Sequence, residues 1–579
     1  MQRQRKSWIL TAFVLVLCVV SQAAWATTTV APFTTRLPIR GKAVVAGDYP
    51  LSAMTAFKIL EKGGNAFDAA VGMAATMGLV NQAMNDFFGG DAMILVYSAK
   101  DKKLTTYNGT GWAPQAATID RYIEANGIPK TGILSVQVPG SFAGWMLLLQ
   151  DHGTLPLKDI LEPAIHIAEN GFEIPARNAT MIDLKTFNDA AKAIYADGEE
   201  AVKPDTLLFN KDYAGVLKSI SDKSYKDAED YFYRGPLAKR IVGYSKSVGG
   251  LLELKDFEEF RAEKQEPVTT NYRGIDVYAC PPNSQGMVLL EALNIVEGYD
   301  LKKMGHNSAE YIDVLVQALN LALEDRNQYL GDPRFVKNPM PLIGKEYAKE
   351  RREKDIHPGK AMDGDLVKGD TSKFGDIYYG KDGSNDTTFM AVADAEGNIV
   401  ACTTSICNVF GSGCVVPGTG IMLNNRMNYF FLDEKYPNRL EPRKRTMQTI
   451  TPSIALKDDK PWLVFGTPGA DVQEQAKLQV FLNVVEFGMD PQLAVEVPRV
   501  QSRHPMGLMV HNTYPRTIQV EGRISEEVRN TLSEKMNYVV QSKTPWEYIG
   551  LMAVIVIDPD TGRKAVGADP RGGNIGIGW

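Results

Sequence analysis

Histidine is scarce in this chain. There are six in 579 residues, at His152, His166, His306, His357, His504 and His511, with no HExxH and no close pair. A two-histidine metal hydrolase therefore has no footing in the sequence. Cysteine is as sparse. Setting aside Cys18, which lies in an apolar leader run, Cys280, Cys402, Cys407 and Cys414 remain. Thiols alone at these spacings do not make a zinc pattern, and the reading stays open between buried free thiols and a 402–407 or 402–414 disulfide. No Walker A loop and no spaced GxGxxG occurs. Gly140-Ser141-Phe142-Ala143-Gly144 carries its serine one place early for a nucleophile elbow and reads as a turn into a helix. A net charge of −6 gives no basic footprint for nucleic acid. The length would allow three or four domains, yet no Pro/Ser linker, charge block or internal repeat divides the chain.

The N-terminus has the three parts of a secretory signal. Arg3, Arg5 and Lys6 precede an apolar run from Trp8 to Val20, followed by Ala24-Trp25-Ala26. Residues 1–26 are thus expected to be a signal peptide, and the protein periplasmic or secreted. From about 50 to 380 the pattern is helix-rich. Gly63-Gly64 stops one helix and Asn65 caps the next, and the segments from Leu155 to Asn170 and from Ser308 to Tyr329 are amphipathic. From 387 on, short alternating runs such as Phe389–Val392, Ile399–Cys402 and Trp462–Phe465 predict strands. Helix-then-strand segregation points to layered α/β packing rather than a nucleotide-binding βαβ series.

The most informative stretch is Asn385-Asp386-Thr387-Thr388-Phe389-Met390, a threonine pair at the head of a strand, followed by Gly411-Ser412-Gly413 and Gly418-Thr419-Gly420. An isolated Thr-Thr pair says little beyond β-propensity. Here the ordered surroundings matter: Gly63-Gly64-Asn65-Ala66-Phe67-Asp68, Val138-Pro139-Gly140-Ser141, Asp325-Arg326, Gly331-Asp332-Pro333, Thr451-Pro452, Gly466-Thr467-Pro468-Gly469 and Asp569-Pro570-Arg571. The array resembles the γ-glutamyltransferase (glutathione hydrolase) family of N-terminal-nucleophile hydrolases over nearly the whole chain. That resemblance implies a four-layer αββα sandwich and self-cleavage between Asp386 and Thr387. The pieces 27–386 and 387–579 would stay together as a heterodimer of the chain's own products. A threonine hydroxyl needs a base. The freed α-amino group, with an ordinary pKa of about 8, supplies one within the same residue, so neither histidine, metal nor cofactor is required.

The resemblance also assigns the site. Thr387 is the expected nucleophile, Gly469 and Ala470 the oxyanion hole, and Ser405 the hydroxyl supporting the new amino terminus. The substrate pocket departs from the family. The segment Asn108-Gly109-Thr110-Gly111-Trp112-Ala113-Pro114 lacks the arginine that usually pairs with the substrate carboxylate. Tyr429 replaces an acid, Gln448-Thr449 replaces paired serines, and a new cation appears at Arg426. Thr110, Arg426, Tyr429, Gln448 and Thr449 are accordingly the expected substrate contacts, with no carboxylate foreseen beside Arg426. The altered pattern is similar to that of oxamate amidohydrolase-like proteins. The expected activity is hydrolysis or transfer of a small acidic acyl amide through a threonine acyl-enzyme. A true glutathione hydrolase with a rearranged pocket and an unprocessed secreted scaffold are the alternatives.

Overall fold

The computed structural model describes residues 35–363, 387–504 and 515–579; the leader run, Asp386 and His511 lie outside them. Pro38–Trp579 makes one compact unit.

Two seven-stranded antiparallel sheets form its centre. One runs Asn574–Gly578, Val44–Asp48, Thr388–Ala393, Ile399–Ser405, Asp91–Ser98, Lys103–Gly109, Glu263–Gln265. The other runs Ile39–Gly41, Lys564–Ala568, Ala553–Ile557, Lys460–Gly466, Ser453–Lys457, Ile275–Ala279, Val268–Tyr272. Alternation along each strand builds the layers. In the first sheet Met93, Leu95, Phe389 and Ala391 point to the second, where they meet Ile454, Val464 and Ile555. Their neighbours Ile94, Val96, Met390 and Val392 point outward. That outer face is covered by helices including Ala66–Val80 and Ser141–His152; Met287–Val296, Ala309–Tyr329 and Val472–Val485 cover the second sheet. The result is an αββα sandwich.

Local signals behave as their chemistry dictates. The Asn65 side chain accepts from the amides of Phe67 and Asp68, while Asp68 accepts from that of Asn65, a closed capping box. Ser308 caps Ala309–Tyr329. The elbow look-alike is a helix start, with Ser141 fully buried. Cys280, Cys402, Cys407 and Cys414 are buried and form no disulfide among the described residues. One expectation needs correcting. Strands are not confined to the region after 387: each sheet interleaves strands from before and after Thr387. The two sides of the expected cut therefore share one core, and neither can bury its apolar strand faces without the other.

Candidate active site

Thr387 stands immediately before the central strand Thr388–Ala393 and is 3 % exposed. Thr388 lies opposite Thr404, and their hydroxyls meet at 2.7 Å. One step further along that ladder places Thr387 beside Ser405, which in turn lies opposite Asp91. Residues paired across a sheet share a face. By the alternation above, Thr387, Ser405 and Asp91 all face the space between the sheets. Ser405 Oγ accepts the Cys407 amide at 2.9 Å.

The second sheet closes over this row. A side chain at Gly466 would strike the Phe389 ring, its Cβ coming within 2.3 Å, so the end of Lys460–Gly466 lies against the strand that Thr387 heads. Three residues on, Gly469 (φ 122°) and Ala470 (φ 48°) are both left-handed, and the Val472–Val485 helix starts directly after them. Neither amide of this turn donates to a protein acceptor among the described residues. Two free N–H groups at a helix N-terminus make a site for developing negative charge. The turn is braced from beneath. Arg326, fully buried, pairs with Asp471 and donates to Gln285 Oε1 at 2.6 Å; Gln285 donates to the carbonyl of Thr449 at 3.0 Å.

On the far side of Ser405 the expected substrate residues come together. Arg426 is wholly buried, its Nε 3.4 Å from Asp91 Oδ2. Its guanidinium carbon sits 5.2 Å from the centre of the Tyr429 ring, and the Tyr429 hydroxyl is 3.3 Å from Thr449 Oγ1. Gln448 Nε2 donates to Asp91 Oδ2 at 3.0 Å. Thr110 abuts the same carboxylate through its neighbour: the Gly111 amide donates to Asp91 Oδ1 at 2.8 Å, while Thr110 Oγ1 donates to Asn108 at 2.6 Å.

Asp91 was missed in the sequence, as was Gln137, whose Nε2 donates to the same carboxylate at 2.8 Å. The available signal was Gly89-Gly90-Asp91, an acid heading an otherwise apolar strand. Its presence corrects the expectation that no carboxylate adjoins Arg426. Burial pushes the Asp91 carboxyl up to about 6, against the pull of Arg426 and its hydrogen-bond donors. The pair is nevertheless unequal. Asp91 accepts from three neutral donors, whereas Nε, Nη1 and Nη2 of Arg426 have no hydrogen-bond acceptor among the described residues. Among the described residues no cluster of metal-ligating side chains occurs, and none of the described histidines is among the residues of this row.

Comparison with known proteins agrees with this architecture. A profile of the gamma-glutamyltranspeptidase family matches residues 52–579. A glutathione hydrolase-like proenzyme of Bacillus subtilis (strain 168) is 34% identical over 543 residues, spanning 93% of this chain and 98% of that one. The glutathione hydrolase proenzyme of Escherichia coli (strain K12) is 31% identical over 561 residues, spanning 92% and 91%. A cephalosporin acylase from Bacillus halodurans superposes with a TM-score of 0.83 at 31% identity, over 94% of this chain and 97% of that chain. The chain belongs to the γ-glutamyltranspeptidase family and is an autoprocessing, threonine-nucleophile hydrolase or acyltransferase.

Proposed function

We propose that the chain cuts itself between Asp386 and Thr387 and then hydrolyses, or transfers, the acyl group of a small amide whose carboxylate sits on Arg426. In this reading the freed amino group of Thr387 takes the proton from its own hydroxyl, which attacks the amide carbon. The oxygen that becomes negative receives the Gly469 and Ala470 amides, and Ser405 donates to the new amino terminus. The leaving amine takes up the proton, and water or an acceptor amine releases the acyl group. Residues 1–26 act as a signal peptide, and the two pieces, 27–386 and 387–579, work as one heterodimer in the periplasm or outside the cell.

One observation carries the choice of donor: a fully buried guanidinium with no hydrogen-bond acceptor for its N–H groups among the described residues, set against Asp91, the residue opposite Ser405. Each buried unmatched donor costs about 1–3 kcal/mol, and a carboxylate matches the Nη edge two bonds at a time. A short acid is in keeping with the oxamate amidohydrolase-like pattern of the sequence. The second reading, a glutathione hydrolase with a rearranged pocket, draws support from Asp91, an anion that could take an amino group beside Arg426. Relatives named as glutathione hydrolases and as a cephalosporin acylase are consistent with one scaffold serving several donors. The test compares kcat/KM of the processed enzyme for glutathione and for oxamate-like amides, before and after Arg426→Ala. A preference for the acid amides that collapses in the variant supports the first reading. Efficient glutathione cleavage indifferent to Arg426 overturns it.

A further inference from the structure

An acid follows the Gly469–Ala470 turn directly. Asp471 is the N-cap of the helix Val472–Val485, and Glu474 lies in that helix's first turn. Aspartate is among the preferred N-caps, where its carboxylate accepts helical amides, and an acid there is drawn to the positive end of the helix. Asp471 does otherwise. Its side chain caps none of the helix's amides and pairs instead with Arg326 of the helix Ala309–Tyr329, both groups being buried. Arg326 is itself held in place: Nε donates to Asn327 Oδ1 at 3.0 Å and Nη1 to Gln285 Oε1 at 2.6 Å. The Gln285 side chain then joins two parts of the site, donating to the Thr449 carbonyl at 3.0 Å and reaching the Ala470 carbonyl at 3.5 Å. The Gln285 backbone amide donates to the Gln448 carbonyl at 2.9 Å. The second acid, Glu474, has Lys477 at 2.8 Å. Each acid at this helix start is thus matched by its own cation.

The consequence is electrostatic. The substrate oxygen gathers negative charge at the Gly469 and Ala470 amides as the acyl group transfers. A carboxylate on the next residue opposes that charge, and the opposition is strong in a low-dielectric interior. We infer that Arg326 is a positioning residue for the reaction: it cancels the Asp471 charge and holds that carboxylate away from the helix start, so that the turn's amides stay open to the oxyanion. Gln285 carries the same arrangement to the substrate side, fixing the turn against Gln448 and Thr449. Arg326 acts through Asp471 and touches neither the substrate nor Thr387.

This inference rests on the Thr387 reading, with Gly469 and Ala470 as the oxyanion hole, but not on which acyl group Arg426 selects. The experiment measures kcat and KM on the amide that the processed wild-type enzyme cleaves best, per mole of freed Thr387 terminus. Arg326→Met leaves the Asp471 charge unopposed beside the turn and should lower kcat about thirtyfold, with KM within about twofold. Adding Asp471→Ala removes that charge, so Arg326→Met/Asp471→Ala should regain kcat to within about fivefold of wild type, although a second polar side chain is lost. Arg326→Lys keeps the cation and should also stay within about fivefold. A mere structural brace gives the opposite order, the double variant being the worse. An Arg326→Met enzyme within about threefold of wild type, a double variant no faster than Arg326→Met, or a loss carried by KM overturns the inference. If Arg326→Met does not fold or cleave itself, the double variant and Arg326→Lys are compared with wild type directly: kcat within about tenfold in both supports the inference, and a larger loss in either overturns it. The Thr387 reading fails separately, through a wild-type chain not cut before Thr387 or a Thr387→Ala variant that still turns over.

Discussion

Two buried arginines in this protein end up in opposite states. Arg499 donates through Nε to the carbonyl of Ile549 at 2.8 Å, through Nη1 to Val495, and through Nη2 to Gly550 and Asp569. Against the upward push of burial, Arg499 and Arg571 hold Asp569 below the ordinary carboxylate range. Arg426 is equally buried and has one carboxylate beside it, but makes no side-chain hydrogen bond among the described residues, and its neighbour Asp91 is pushed up to about 6. A buried charge is therefore not a site in itself. Arg499 has its donors satisfied within the fold and fixes how Val495, Ile549 and Gly550 meet. Arg426 keeps a donor edge with no acceptor among the described residues, the edge proposed above to take the donor's carboxylate. The same residue type is structural where its partners are complete and a candidate for binding where they are not.

The largest effect should come from the nucleophile, which belongs to neither cluster. Thr387→Ala should give a single uncleaved chain with no measurable turnover, and a Tm close to that of the wild-type precursor. Electrophoresis and N-terminal sequencing check this; the wild-type small piece should begin Thr-Thr-Phe-Met. A cleaved or active Thr387→Ala would detach Arg426 from the chemistry proposed here.

Next come the arginines themselves. Arg499→Met should destabilise by about 3–5 kcal/mol, because it leaves Asp569 short of a partner in the interior. Arg426→Met should alter the Tm little, since few protein contacts are lost, yet lower kcat/KM for acid amides by about a hundredfold. Thermal unfolding and steady-state kinetics on both variants decide the matter. Equal losses of stability would make Arg426 another brace and end the contrast.

A third measurement separates the carboxylates. Asp91 holds its proton more tightly in the folded protein, to about 6, than in the unfolded chain, near 3.8. Folding stability should therefore fall as pH rises from about 4 to about 6, by up to about 3 kcal/mol from this group. Asp569, held low, works in the other direction, losing its contribution as pH falls. Asp91→Asn should gain in Tm relative to wild type across pH 4 to 6.5 and stay level above it. A flat difference would show that Arg426 fully compensates Asp91, which would bring the pair closer to Arg499–Asp569.

How much of this was legible beforehand follows from range. Thr387, the Gly469–Ala470 turn and the capping box at Asn65 are local patterns, and the sequence carried each of them. Arg426 was visible as a change of residue type, but its partner was not. Asp91 and Gln448 are 357 positions apart in the chain and meet where the two sheets stack, Asp91 heading a strand of one and Gln448 lying just before Ser453–Lys457 of the other. The strands interleaved among the helices of the first part escaped notice for a related reason. Asp91–Ser98 is buried on both faces, so its apolar run shows no alternation, and periodicity cannot separate such a strand from a buried helix. Arg326 and Gln285 were likewise out of reach, because a brace beneath a turn leaves no mark in the turn's own sequence.

The smallest expected effect concerns what takes the place of acceptors around Arg426. Where Arg499 meets carbonyls, Arg426 meets the face of Tyr429, and a buried ring can hold a guanidinium without consuming its donors. Tyr429→Phe keeps that face and removes the hydroxyl 3.3 Å from Thr449. A neutral hydrogen bond contributes about 0.5–1.5 kcal/mol, so kcat/KM for the acid donor should fall about threefold, mostly through KM. Tyr429→Leu removes the ring as well and should cost a further factor of about five. If the phenylalanine variant loses as much as Arg426→Met, the hydroxyl itself touches substrate and the ring is incidental. If the leucine variant matches the phenylalanine one, the ring does not position Arg426, and its unmatched edge must be held in place by Asp91 alone.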